Sequence, residues 1–228
     1  MPSEIQVIDL RRMEYRRAFA IQEMIFRGCD GKKYPDTIIF QQNDPVITLG
    51  RSSELKNLLR SEEQLLNLGI GIEYVDRGGD ISYHGPGQLV ISVLIHIRSY
   101  AMNVHQYLRN LEETVIRTLN HYGIQGKRME GKSGVWVENE KIAATGIGVT
   151  HGITRHGIAI NINPDLTHFS YIVPCGISDG GVTSFEKLGV KDVNIEDIKN
   201  RFLLEFNQIF DTVIIAPVWK EGEMTNES

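Results

Sequence analysis

Three stretches carry the side chains that could do chemistry. Cys175 stands in "IVPCGISDGG", after a proline that favours an extended approach and before Gly176, which permits a sharp turn. Its thiol reads either as a nucleophile projecting from a loop or as a small buried group. Lys141 stands in "VWVENEKIAATGIG". After "ENE" it reads as a hairpin-edge charge, yet the small residues Ala143, Ala144, Thr145 and Gly146 that follow offer backbone a ligand can approach. The third stretch, "RGGDISYHGPGQLV" (77–90), has five glycines and prolines among fourteen residues. Its His84 is either an acid–base group or a residue tied into the loop by hydrogen bonds. Arg77 either pairs an anion or ties the loop to Asp76 or Asp80.

Other motifs point away from common chemistries. There is no Walker sequence, and Gly78-Gly79 lacks the spacing of GxGxxG. His151 and His156 flank "GITR", which reads as a turn and not as a metal site. Cys29, between glycine and aspartate at a helix end, reads as structural. Two cysteines in 228 residues form no disulfide framework, and no CxxC is present.

The elements that must position these groups follow from periodicity. "EIQVIDL" (4–10) predicts a strand, and Glu14 to Phe26 a helix ending at Gly28 with Gln22 the one polar interruption. "TIIFQQ" and "VITLG", around Asn43-Asp44-Pro45, predict a hairpin. Ser61 to Gln64 has capping-box form before a short helix that Gly69 ends. Asn103 and Gln106 cap a helix to about Tyr122. Strands are expected at "IEYVDRGG", "QLVISVLIHI", "GVWVE", "KIAATGIGV" and "HGIAININ", and a last amphipathic helix at Ile195 to Phe210. Strands and helices mix without regular βαβ alternation. The expected fold is α/β (α+β), a single domain over 1–220 with a mixed, largely antiparallel sheet and flanking helices. The polar tail 221–228 is expected to be disordered.

Composition bounds the partners. A net charge of −5 argues against a nucleic-acid binder. No apolar run reaches the roughly 20 residues needed to cross a bilayer, and the N-terminus lacks a secretory apolar core. A cytoplasmic protein is expected.

"RGGDISYHGPGQLV", "KIAATGIG", "HGIAININPDL" and "PCG", in that order, resemble the lipoyl(octanoyl) transferases over roughly Asp36 to Gly176. The resemblance implies a fold similar to the lipoate/biotin protein ligase catalytic domain. It implies octanoyl transfer from octanoyl-acyl carrier protein to a lysine of lipoyl domains, in 2-oxoacid dehydrogenase E2 subunits and glycine cleavage H protein. Cys175 would be the thioester nucleophile and Lys141 its partner. Arg77, Gly78, Gly79, Asp80, Ile81, Ser82, Tyr83 and His84 would line the substrate pocket with Ala144, Thr145, Gly146, Gly157, Ile158 and Ala159. Thr145 departs from the aliphatic residue usual in the family. The mechanism requires no metal and no organic cofactor.

The chemistry asks for such groups. A thiol of pKa near 8.5 is only about 3% thiolate at pH 7. A neighbouring ammonium favours the thiolate, each tenfold gain in ionisation corresponding to about 1.4 kcal/mol. Thioester exchange needs no ATP. Both partners are expected to be acidic, so Arg11, Arg12, Arg16 and Arg17, or Lys127, Arg128 and Lys132, form candidate docking patches, or simply solvated faces. The alternatives are an ATP-dependent lipoate or biotin ligase and a non-catalytic acyl- or lipoyl-domain-binding protein.

Overall fold

The computed structural model describes residues 2–173 and 181–218. Cys175, Gly176 and the expected tail lie outside them. The chain opens with β1 (Ser3–Met13) and α1 (Tyr15–Asp30), whose Ala18, Ile21, Gln22, Ile25, Phe26 and Cys29 make one buried face. Helix α1 runs beyond the expected stop at Gly28. A Cβ at Gly28 would lie 2.0 Å from the Tyr34 ring, so this glycine serves close packing and Gly31 caps the helix.

Strand β2 (Asp36–Asn43) pairs parallel with β1, completing a βαβ unit. The expected hairpin between β2 and β3 (Val46–Leu49) does not form. Instead β3 leaves the main sheet and pairs with β4 (Gly71–Tyr74) and β5 (Ile81–His84) in a second, three-stranded sheet. Asn43-Asp44-Pro45 is a corner between sheets. The Asp44 N–H donates to Met13 and the Pro45 carbonyl accepts from Gly71, so neither bonds across a two-residue turn. Helix α2 (Glu62–Asn67) has the expected Ser61–Gln64 capping box.

The chain then returns through β6 (Gln88–Leu94), α3 (Val104–His121), β7 (Lys127–Met129), β8 (Lys132–Val137), β9 (Glu140–Thr150) and β10 (Ile153–Asn161). Asn103 and Gln106 cap α3 reciprocally. After β11 (Gly181–Val182), α4 (Ile195–Phe210) and β12 (Thr212–Ile215) complete the described residues. Among these, a nine-stranded sheet has the order β12-β1-β2-β6-β10-β9-β8-β7, with β11 alongside β9. Pairing is parallel at β12–β1–β2 and at β11–β9, and antiparallel from β2 to β7.

Strand alternation divides β6. Leu89, Ile91 and Val93 enter the main core with Leu111, Val115, Phe202 and Phe206 of α3 and α4. Burying each such side chain is worth about 1.5–3 kcal/mol. Val90 and Ser92 therefore face the other way, toward α1 and the small sheet. The interior space between these layers is the candidate site. Among the described residues no helix is long and apolar enough to cross a membrane.

Candidate active site

The 77–84 segment is held down at several points. Gly78 N–H donates to the Ile147 carbonyl of β9 at 3.0 Å, and Gly50 N–H to the Asp80 carbonyl at 2.9 Å. Gly79 is left-handed (φ 87°), and a Cβ on Gly146 would press on Arg77 Cδ at 3.1 Å and Gly78 O at 3.2 Å. The glycines thus bring the loop's backbone onto β9. Among the described residues, Arg77 Nη2 donates to the Thr48 carbonyl and hydroxyl, both at 2.8 Å. Asp76 is held by Arg155 and His156, and Asp80 by Asn57 and the Glu54 N–H.

A cavity opens beneath this loop. Of the expected residues, Arg77, Gly79, Ser82, His84, Ala144, Thr145, Gly146, Gly157, Ile158 and Ala159 line it. Alternation along β5 explains two exceptions: Ile81 and Tyr83 point into a smaller core with Ile47, Leu49 and Phe169. Gly78 lies behind the wall, beside Arg51 and Ile147, and Asp80 borders a separate hollow with Asn57 and Ser133.

Residues not anticipated complete the lining: Tyr15, Gln22, Gln41, Val90, Ser92 and His156. Gln22 had left a trace in the sequence as the polar break in an apolar helix face. His156 lies in β10 and not in a turn. Its backbone is left-handed (φ 58°), and its ring stacks on Phe19 at 5.9 Å. Its Nε2 lies 2.8 Å from Asp76 Oδ1, and that hydrogen bond holds the Asp76 carboxyl below the usual range. His151 occupies the β9–β10 turn and pairs with Asp30.

The tautomer of His84 is set by a relay. Asn161 Nδ2 donates to the Thr183 carbonyl (3.0 Å), so its Oδ1 accepts from Gln88 Nε2 (2.9 Å). Gln88 Oε1 then faces His84 Nδ1 at 2.7 Å, which makes Nδ1 the protonated nitrogen. Burial, with the Arg77 charge second, pushes the His84 pKa down to about 4. At neutral pH the ring is uncharged, with an unprotonated Nε2.

This has a consequence for stability. The folded pKa lies below the unfolded value near 6.5, so between them the unfolded chain binds the extra proton. The His84 contribution is complete above pH 6.5 and is lost as pH falls toward 4, about 3 kcal/mol in all. Urea titrations should give a steeper loss between pH 7 and 4.5 for the parent chain than for His84→Asn. Equal slopes would contradict a buried neutral ring.

Lys141 is buried on β9, with Nζ 4.8 Å from the centroid of the Trp136 ring. It does not line the cavity, but it lies on the same strand as Ala144, Thr145 and Gly146, which do. Ile142 and Ala143 both enter the main core, and the β8–β9 register shifts between Val135 and Trp136. That bulge places Lys141 on the face that carries Ala144 and Gly146. Its carbonyl accepts from Thr183, joining it to the relay behind His84. Cys175 lies outside the described residues, but the chain on either side is anchored. Val173 N–H donates to the Asn57 carbonyl at 2.8 Å, and Val182 pairs with Lys141 itself. Cys29 is buried. Its Sγ donates to the Pro35 carbonyl at 3.2 Å, and burial raises its pKa to about 12.

The expected basic patches are partly neutralised. Arg12 pairs with Asp44 and Arg16 with Glu73, while Arg128 meets Glu112 and Glu113.

A mixed sheet covered by helices, with a glycine-rich loop closing a cavity on one face, matches a defined class of catalytic domain. The family model of the lipoyl protein ligase A/B catalytic domain matches residues 14–207. In fold, the chain is similar to a bipartite lipoate protein ligase from Thermoplasma acidophilum. The TM-score is 0.75 at 19% identity, covering 98% of this chain and 90% of that one. In sequence, it is 39% identical to an octanoyltransferase of Flavobacterium psychrophilum, over 94% of this chain and all of the relative. It is 41% identical to one from Caldicellulosiruptor bescii, over 90% and 91%. The chain belongs to the lipoyl(octanoyl) transferase family.

Proposed function

We propose that the protein transfers an octanoyl group from octanoyl-acyl carrier protein, through a thioester on Cys175, to the target lysine of lipoyl domains in the cytoplasm. The acceptors are those of 2-oxoacid dehydrogenase E2 subunits and of the glycine cleavage H protein. The observation that carries the reading is a cavity lined by the small residues Ala144, Gly146, Gly157 and Ala159, on the strand that also bears Lys141 and its neighbour β10. The described residues that flank the Cys175 segment are bonded to Asn57 and to Lys141. Covalent geometry limits the Cys175 Cα to about 7 Å from that of Val173, which is fixed to Asn57. Seven residues after Cys175, Val182 pairs with Lys141.

The cycle balances without ATP. The Lys141 ammonium favours the Cys175 thiolate, which attacks the donor carbonyl carbon. The carrier's carbon–sulfur bond breaks, and the departing thiolate takes a proton from Lys141. The acceptor amine then attacks the new thioester. Neutral Lys141 removes its proton, the amide forms and the Cys175 thiolate leaves. The dyad is restored. Arg77, Gly79, Ser82 and His84 line the acyl cavity with the Ala144–Gly146 and Gly157–Ala159 backbones. Gly78, Asp80, Ile81 and Tyr83 shape the loop.

Intact-mass measurement after mixing with octanoyl-carrier protein tests the proposal. A gain of one octanoyl group, removed by hydroxylamine, supports it. An unmodified chain that transfers octanoyl only with ATP present would exclude it.

A further inference from the structure

The cavity has a direction. Its floor is two rows laid across the strands. One runs Val90–Ala159–Ala144 and the other Ser92–Gly157–Gly146, each from β6 over β10 to β9. Alanine and glycine on β9 and β10 leave depth there. Beyond β6 the space stops, because Gln41 stands on β2 beside Val90 and Gln22 descends from α1.

These side chains are fixed to one another. Ser92 Oγ donates to Gln22 Oε1 at 3.0 Å, Gln22 Nε2 to Gln41 Oε1 at 3.0 Å, and Gln41 Nε2 to Asn43 Oδ1 at 2.8 Å. Ser92, Gln22 and Gln41 are 2%, 7% and 1% exposed. None of them carries charge, and none belongs to the dyad.

We propose that Ser92, Gln22 and Gln41 form a hydrogen-bonded end wall that sets acyl-chain length. The inference rests on the reading above and takes the acyl carbonyl to lie over Ala144 and Gly146, the cavity's end on the strand that bears Lys141. From there the chain crosses two strand spacings to β6, about 10 Å. All-trans carbon–carbon bonds of about 1.52 Å advance roughly 1.25 Å each, so the seven bonds of an octanoyl group span about 9 Å. A longer chain must break a buried hydrogen bond and leave an amide unpaired, which methylene burial does not compensate.

The test is the rate of covalent capture from S-acyl-pantetheine donors of six to twelve carbons, read by intact mass. For the parent chain, capture should rise about fourfold per methylene up to eight carbons, as burial alone predicts. It should then fall at ten carbons, by up to about tenfold, where the amide left unpaired outweighs the two added methylenes. Gln22→Ala should raise the decanoyl-to-octanoyl ratio by about tenfold or more. Ala159→Val, which fills the floor, should move the optimum below eight carbons. A parent profile that keeps rising beyond eight carbons would overturn the inference, as would an unchanged ratio in folded Gln22→Ala. If Gln22→Ala fails to melt cooperatively, the parent profile and Ala159→Val decide. If the parent chain captures no acyl group at all, the thioester reading fails instead. Calorimetric binding of free six- to twelve-carbon fatty acids to the parent chain then reads the end wall, with the same optimum expected and a continuing rise contradicting it.

Discussion

Cys175→Ala is expected to take up no octanoyl group, with overall transfer reduced at least about 10³-fold, the scale on which covalent enzymes respond to loss of the nucleophile. Cys29→Ala is the matched control. Its thiol is buried, donates to the Pro35 carbonyl and is pushed up to about 12, so almost none is ionised at pH 7. Its removal should cost about 1 kcal/mol of stability through lost packing and leave the transfer rate nearly unchanged. Both variants are checked by intact mass and by octanoyl incorporation into a lipoyl domain. Transfer that survives the Cys175 change, or disappears in folded Cys29→Ala, would assign the chemistry to the wrong thiol.

Lys141 separates the two half-reactions. Arginine retains the charge but, with a pKa above about 12, cannot serve as a base. Lys141→Arg should therefore capture octanoyl at a reduced rate, retain it and accumulate as acyl-enzyme. A slowing of release by about 10² or more is the usual scale for loss of a general base. Lys141→Ala should slow both steps, since the thiolate also loses its counter-ion. The site is narrow: Lys141 Cδ lies 3.5 Å from where a Cβ on Gly134 would stand, and Nζ lies over Trp136. Some of the arginine effect on capture will therefore be steric. Release is the informative half-reaction. Normal release from Lys141→Arg would leave Lys141 with charge alone.

The helices were the most legible part of the sequence. Ser61–Gln64 and Asn103–Gln106 carry reciprocal caps, and Ile195–Phe210 repeats its apolar face at helical spacing, so local physics sets their bounds. Long-range pairing was less legible. Asn43-Asp44-Pro45 has the composition of a hairpin turn, but the partners of β2 and β3 lie far along the chain, and a dipeptide signal cannot specify them. Gly28 read as a stop because its packing partner, Tyr34, approaches only after the chain turns back.

The cavity lining divides on the same principle. The loop at 77–84 and the small residues of β9 and β10 are contiguous in sequence and were visible as motifs. Gln22, Gln41 and Ser92 come from three separate elements, and each alone is an ordinary polar residue. Only their mutual hydrogen bonds reveal a shared wall. His156 was hidden by a positive φ that takes it out of simple strand alternation.

A single-turnover chase tests the central claim most directly. The protein is loaded with one octanoyl group, freed of donor, and mixed with a lipoyl domain without ATP, while both masses are followed in time. The account predicts that octanoyl leaves Cys175 and appears on the acceptor lysine at the same rate, with no other species required. An octanoyl-protein that keeps its acyl group until ATP is supplied, or an acceptor modified while the enzyme-bound group stays in place, would contradict it.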